Sequence, residues 1–422
     1  MPMKLIYSKH LNNENLSALD IRFITELTKG TIRMSKRIEY EIANHYNGKI
    51  KKLEKLYLII LKSAIYQLDY MSRVPDYAIV STSVDITKKL FPKYSKLTNA
   101  LLRSMISNRK KIEKPDEKSS SEYLAIYYSH PEWLIDKWKC SYSFKSLIKL
   151  LDYNNQTPTV WFRYDTNRIN INNLKIELKN KNLEIKKNKY LNNFFRIDNP
   201  SELLNSKVFE EGGILVQSPV NGLIIKLLDP LPDECITDLC AAPGGKTVAI
   251  SQHVLNKGTV LSYDINKKRV DLITQNLNKH KIKNVKLELK DVSKDKLSYS
   301  SKMIADVPCL GTGTISKNVD LKWKKRIDDL IRLTNLQEQI LNNSSKYLKP
   351  NGVIVYSTCS IEEEENWMVV DRFLKNHPNY IIDNAEKYID SKFIDSRGAI
   401  NIKPQKHNLD GGFAVRLINY EK

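Results

Sequence analysis

DLCAAPGGKT, residues 238–247, joins a short apolar run to a segment that reads as a helix. Its small residues Ala241, Ala242, Gly244 and Gly245 strip side-chain bulk from the turn, so the backbone can approach a ligand closely. Working outward, short strand-like runs alternate with helical segments through the C-terminal half. The runs are CITDLC, TVLSYDI, VKLELKD, MIADVPC and GVIVYSTCS, and helices are expected over residues 267–279 and 328–347. Such alternation predicts an open parallel sheet covered by helices, with ligands beyond the carboxyl ends of the strands. Cys309 and Cys359, two of only five cysteines, end two of these runs and are therefore aimed at one rim.

The glycine loop admits three readings. A phosphate-binding GxxxxGK[ST] loop needs glycine at position 240, where the chain has Cys240, and GxGxxG is absent. A plain turn does not explain so many small residues ahead of a helix. A nucleoside cofactor without a pyrophosphate remains, and S-adenosylmethionine is the commonest. Asp264 ends the next strand, 20 residues after Gly244, where an acidic side chain takes ribose hydroxyls. Asp291 ends the third strand and is a candidate for the adenine edge.

Residues 19–105 carry apolar spacings of three and four: Leu19, Phe23, Leu27, then Leu56, Ile59, Ile60, Ala64, Leu68. They predict a small helical bundle, with Pro75 at a helix start. The charged, proline-containing stretch KKIEKPDEKSSS reads as a linker. KIELKNKNLEIKKNKY suggests a small mixed subdomain with a basic face. Three domains are expected: residues 1–115 all-helical, 116–211 linker and small α+β subdomain, and 212–422 the α/β domain. The net charge of +20, with 68 basic against 48 acidic residues, points to a polyanionic partner such as RNA. Lysine gained through AT-rich genome drift is the competing reading. No apolar run is long enough to span a membrane. MPMKLIYSKHLNNENL turns polar before a signal-peptide core develops. No Cys/His spacing suits zinc, so neither membrane nor metal is expected, and a cytoplasmic protein with reduced thiols is.

Three motifs, DLCAAPGGKT, DVPCLGTG with its downstream VDLKW, and YSTCSIEEEEN, together resemble the RNA (cytosine-C5)-methyltransferases of the Sun/RsmB type. YQLDYMSRVPDYAIVSTSV with LTNALLR looks like the NusB-like RNA-binding domain of bacterial members, and HPEWLIDKW matches the segment that follows it. The resemblance spans nearly the whole chain. It implies a Rossmann-like methyltransferase fold with S-adenosylmethionine as donor. By motif matching, the cofactor contacts are Cys240, Ala241, Ala242, Pro243, Gly244, Gly245, Lys246, Asp264, Asp291 and Asp306, with Cys359 the nucleophile and Cys309 the cysteine that helps release product. It also implies a cytosine of small-subunit (16S) rRNA, acted on before full subunit assembly. The same chemistry on tRNA or another RNA, and a non-catalytic RNA-binding assembly factor, are the alternatives. Val307 and Leu310 replace small residues close to the expected base pocket. The basic pair and proline expected before DxKW are reduced to Ser316-Lys317-Asn318-Val319, which bears on RNA contacts.

The chemistry accounts for two cysteines. Carbon 5 of cytosine is a poor nucleophile until a thiolate adds at carbon 6, and the adduct must then lose a proton and expel the thiolate. Cys359 needs positive charge or hydrogen-bond donors nearby, for which Ser357, Thr358 and Ser360 are candidates. Asp306 is placed to hydrogen-bond the base. Lys246 orients either Asp306 or a cofactor carboxylate, or is simply exposed. The acidic run 362–365 is expected to be a solvated helix cap. Cys140, Cys235 and the thiol of Cys240 are assigned to packing or loop structure, and DGGFAVRL to a structural closing strand.

Overall fold

The computed structural model describes residues 16–108, 113–198, 200–255 and 258–420. Two compact units emerge. One takes the described residues up to Gln156 together with Ile315–Lys324, and the other takes Thr157–Thr314 and the chain from Lys325 onward.

The second unit begins with a small antiparallel sheet of β1 (Trp161–Tyr164), β2 (Lys186–Lys187), β3 (Phe194–Arg196) and β4 (Ile214–Val216), in the order β2-β3-β1-β4. Phe162, Phe195, Leu174 and Leu178 bury one face of it beneath the helix Ile171–Asn180. The large sheet follows: β5 (Cys235–Asp238), β6 (Thr259–Asp264), β7 (Val285–Leu289), β8 (Ser300–Asp306), β9 (Leu348–Thr358), β10 (Tyr380–Asp383), β11 (Ile400–Ile402) and β12 (Gly412–Asn419). Its order is β10-β12-β9-β8-β5-β6-β7, with β11 paired to β12.

Strands β5 to β9 pair in parallel, but β12 enters antiparallel between β9 and β10. The sheet is therefore mixed rather than wholly parallel. β12 is buried along nearly its whole length, and such an apolar run looks the same in either direction. Chain order reverses between β5 and β8, so the loops after these two strands flank the crevice where open α/β sheets bind ligands. One face is covered by the helices Pro219–Leu228 and Gly245–Val254 through Leu223, Ile224, Ile250 and Val254. The helices Ile327–Ser345 and Trp367–Asn376 cover the other with Ile340, Leu341, Val370 and Phe373. Each such side chain contributes roughly 1.5–3 kcal/mol on full burial.

The first unit is helical throughout its described residues. Its first helix, Ala18–Arg33, opens on a capping box in which Ser17 and Asp20 satisfy each other's backbone N–H groups. The helix Asp76–Leu90 starts directly after Pro75, which precedes the helix rather than occupying its first turn. Ile38, Ile42, Tyr57, Leu61, Ile65 and Leu102 form the core. Part of the apolar pattern is not core: Leu19 is 77% exposed, Leu56 53% and Ile59 55%. The helix Lys55–Tyr70 is apolar on nearly all sides (KLYLIILKSAIYQLDY), so spacing alone does not select the face that packs.

Candidate active site

The loop after β5 is built around Asp238. Its Oδ2 accepts from Thr247 Oγ1 at 2.7 Å, while Oδ1 is buried without a hydrogen-bond partner. Burial pushes this carboxyl up to about 6. Gly244 lies in the left-handed region at φ 101° and starts the helix Gly245–Val254. A Cβ added at Gly245 would stand in ordinary van der Waals contact with Gln217 Nε2 at 3.6 Å and Leu215 at 3.9 Å. Ala241 N–H donates to Tyr263 O at 2.9 Å, and Pro243 O accepts from Asn276 Nδ2 at 2.6 Å. The Cys240 thiol packs against the core, and burial drives its pKa well above the ordinary thiol value.

The other acidic candidates differ in what they have left to offer. Asp264, at the end of β6, uses Oδ1 to accept from Asn266 N–H at 2.9 Å. Asp291 lies two residues past β7 and turns inward on its own loop. Its Oδ1 accepts from Ser293 N–H and Oγ at 3.1 and 2.6 Å, and Lys294 Nζ stands 3.3 Å from Oδ2. The Ser293 hydroxyl bond is the main reason its pKa falls below the usual value.

Asp306 ends β8 in register with Ser357 of β9. Ser357 Oγ donates to its Oδ1 at 2.9 Å and Lys246 Nζ to its Oδ2 at 2.6 Å. Lys246 is therefore not an exposed helix-start lysine: only 11% of its side chain is accessible, and it orients Asp306. Burial acts to lower its pKa, but Asp306, Asp238 and Cys359 outweigh burial and raise it. The ammonium thus faces both the carboxylate and Cys359.

Cys309 and Cys359, 50 positions apart, come together with their sulfurs 3.2 Å apart, both free. Cys359 is exposed and Cys309 half-buried. The hydrogen bond to Cys359 chiefly, then burial, then the nearby charges of Cys359 and Glu365, push Cys309 well above the ordinary thiol value. The hydroxyls expected to serve Cys359 are committed elsewhere: Ser357 to Asp306, Thr358 to Asn366 Oδ1 at 2.7 Å, and Ser360 to Thr312 Oγ1 at 3.2 Å. Lys246 provides the positive charge instead.

Further expectations change. Residues 362–365 are not a solvated cap, because Glu362 and Glu365 are buried and the following helix begins only at Trp367. Glu365 accepts from Leu310 N–H, with Oε1 at 2.9 Å, directly behind Cys309. Four consecutive glutamates carry no periodic signal to mark the one that turns inward. Val307 and Leu310 are both buried, Val307 in the core beneath the sheet. Ser316 and Val319 are buried in the helical unit rather than displayed. There Trp323 Nε1 donates to Ile32 O at 2.7 Å and Lys322 Nζ to Asn155 Oδ1 at 3.3 Å, so this stretch is an anchor within that unit. Cys140 is exposed on the helix Glu132–Ser141 and does not pack, whereas Cys235 and Cys240 line the core. β12 closes the sheet, and Gly411 N–H donates to Gly313 O at 2.7 Å just before it.

Family models match three consecutive stretches: the NusB family over residues 4–107, an RsmF/B-like ferredoxin-like domain over 130–203, and 16S rRNA methyltransferase RsmB/F over 225–418. Over residues 225–418 the chain is similar to the RsmB/F methyltransferases. Among its relatives is a Bacillus subtilis protein named "Probable ribosomal RNA small subunit methyltransferase B", 28% identical over 98% of this chain and 94% of its own. The Yersinia enterocolitica ribosomal RNA small subunit methyltransferase B is 29% identical over 96% and 92%. Among solved structures, that of PH0851 covers 98% of this chain and 93% of its own at 25% identity, with a TM-score of 0.82. A methyltransferase homolog protein from Pyrococcus horikoshii shares the fold over 70% of the chain, with a TM-score of 0.60 at 24% identity. The matches liken the helical unit to NusB and the small antiparallel sheet to a ferredoxin-like domain, ahead of a Rossmann-like methyltransferase domain. Among the described residues no helix is long and apolar enough to cross a membrane, and no His, Cys, Asp and Glu cluster suits a metal ion.

Proposed function

We propose that the protein transfers a methyl group from S-adenosylmethionine to carbon 5 of a cytosine in small-subunit rRNA, through a covalent adduct between Cys359 and carbon 6. The observation that carries this reading is the pair of free thiols 3.2 Å apart at the switch crevice, beside the Lys246–Asp306 pair. The loop fits the donor: Asp238 Oδ1 is an unpartnered buried acceptor, and Gly244, in the left-handed region, turns the backbone into the helix start. Residues 240–246 would hold the donor by their backbone, with Asp264 at the ribose and Asp291 at the adenine edge. S-adenosylmethionine, when bound, supplies the electrophilic methyl group.

The chain's own residues do the rest. The Cys359 thiolate, beside the Lys246 ammonium, adds to carbon 6 and pushes electron density onto carbon 5 and the ring nitrogen. Asp306, held by Ser357 and Lys246, accepts a hydrogen bond from the exocyclic amine or the protonated ring nitrogen. Once carbon 5 is methylated, its proton passes to water at the open rim. The double bond re-forms as the carbon 6–sulfur bond breaks, and the Cys309 S–H donates to the departing Cys359 thiolate. The target base must leave any stack to reach both sulfurs, which favours a loop or a duplex end. The basic excess of the chain suits the flanking phosphates.

The test is transfer of labelled methyl from S-adenosylmethionine to unmethylated small-subunit rRNA, followed by nucleoside analysis. The expected product is 5-methylcytosine with wild type and none with Cys359→Ala. Label on tRNA alone would move the substrate, label on another atom would overturn the carbon-5 reading, and failure to bind the donor would favour an assembly factor.

A further inference from the structure

Glu365 is fully buried yet enters none of these steps. It accepts from Leu310 N–H through Oε1 at 2.9 Å and Oε2 at 3.2 Å, and from Gln337 Nε2 at 3.0 Å. The same Gln337 Nε2 donates to Pro308 O at 2.8 Å, so the backbone on both sides of Cys309 is clamped from below. Tyr356 Oη donates to Glu365 O at 2.6 Å, and Gln337 and Tyr356 are themselves fully buried. Burial raises the Glu365 pKa and the Glu362 charge adds to this, while hydrogen bonds from Ser360, Leu310 and Gln337 favour the ionised form.

We propose that Glu365 is the positioning residue for Cys309: with Gln337 it fixes the Pro308–Leu310 turn and keeps the Cys309 S–H as a donor to Cys359, so that the methylated base is released. This inference rests on the two-cysteine reading above. Two thiols of equal acidity 3.2 Å apart would not divide the labour. Cys359 faces Lys246, whereas Cys309 backs onto Glu365. The titratable groups acting on Cys309 are Cys359 and Glu365, and both disfavour a second thiolate. Behind them stands Tyr356, influenced in turn by Arg372 and Glu338.

The experiment compares wild type, Cys309→Ala, Glu365→Ala and Glu365→Gln on denaturing gels, after incubation with S-adenosylmethionine and unmethylated small-subunit rRNA. Glu365→Ala is expected to accumulate a protein–RNA adduct as Cys309→Ala does. Release should slow at least about tenfold, less than the roughly 10²–10⁴-fold contributed by a positioned acid or base, because Glu365 acts through Cys309. Glu365→Gln keeps an oxygen for Leu310 and Gln337, so it should release product near the wild-type rate at neutral pH. Its alkaline loss of release should shift to lower pH, because the charge behind Cys309 is gone. An adduct with Cys309→Ala but none with Glu365→Ala overturns this inference and leaves the two-cysteine reading standing. No adduct even with Cys309→Ala overturns both. If Glu365→Ala does not fold, the Glu365→Gln pH profile decides, and an unshifted profile overturns the proposal.

Discussion

Asp238→Asn should stabilise the catalytic unit while weakening donor binding. Burial, aided by Asp306 and Asp264, lifts this carboxyl from 3.8 to about 6 against the pull of Thr247 and Lys246. A raised carboxyl favours the folded state fully below its unfolded pKa, and that contribution is lost as pH rises through the folded pKa. Two units at about 1.4 kcal/mol each put the loss at about 3 kcal/mol between pH 4 and pH 7. Asparagine still accepts from Thr247 Oγ1. It exchanges one unpartnered buried oxygen for an unpartnered NH₂, two penalties of similar size that cancel to first order. The expected gain at pH 7 is thus about 2–3 kcal/mol, or ~5–10 °C in Tm for a unit of this size. Urea and thermal melts of both proteins at pH 4.5 and 7 read the difference, and calorimetry with S-adenosylmethionine reads the accompanying loss of affinity. A stability difference that stays constant between the two pH values would refute the reasoning.

Other outcomes follow from the same geometry. Lys246→Met removes the ammonium facing Asp306 and Cys359, and methyl transfer should fall at least about a hundredfold; initial rates check this. Gly313→Ala places a Cβ 2.5 Å from Gly411 O, backbone against backbone, and should lower stability by roughly 2 kcal/mol or more in a thermal melt. Burial, then Arg33, hold Lys322 well below the ordinary lysine value. Lys322→Met should therefore stabilise the helical unit at pH 7, with the gain shrinking as pH approaches 10.5, measured by denaturant melts at several pH values.

What the sequence revealed follows physical lines. Strand-to-helix alternation exposed the crevice, because runs of apolar residues ending in DLC, DVPC and STC mark strand ends at one rim whatever the strand order. The direction of β12 was hidden, since a strand buried on both faces carries no sign of orientation. Glu365 was hidden for a related reason: its burial comes from Leu310 and Gln337, 55 and 28 positions away, and nothing local distinguishes it from Glu364. Lys322 and Trp323 read only as part of the VDLKW motif, and they anchor their segment to Asn155 and Ile32. Such pairings are set by tertiary contacts that spacing along the chain does not encode. Lys246 lay between these cases: its place at a helix start was legible, and its partner was not.

The division of labour between the two sulfurs is tested most directly by a denaturing gel of Cys309→Ala after incubation with S-adenosylmethionine and unmethylated small-subunit rRNA, with Cys309→Ala/Cys359→Ala as control. The account predicts a band containing both protein and RNA that the double variant lacks. A wild type that makes 5-methylcytosine while Cys309→Ala yields no such band would contradict it.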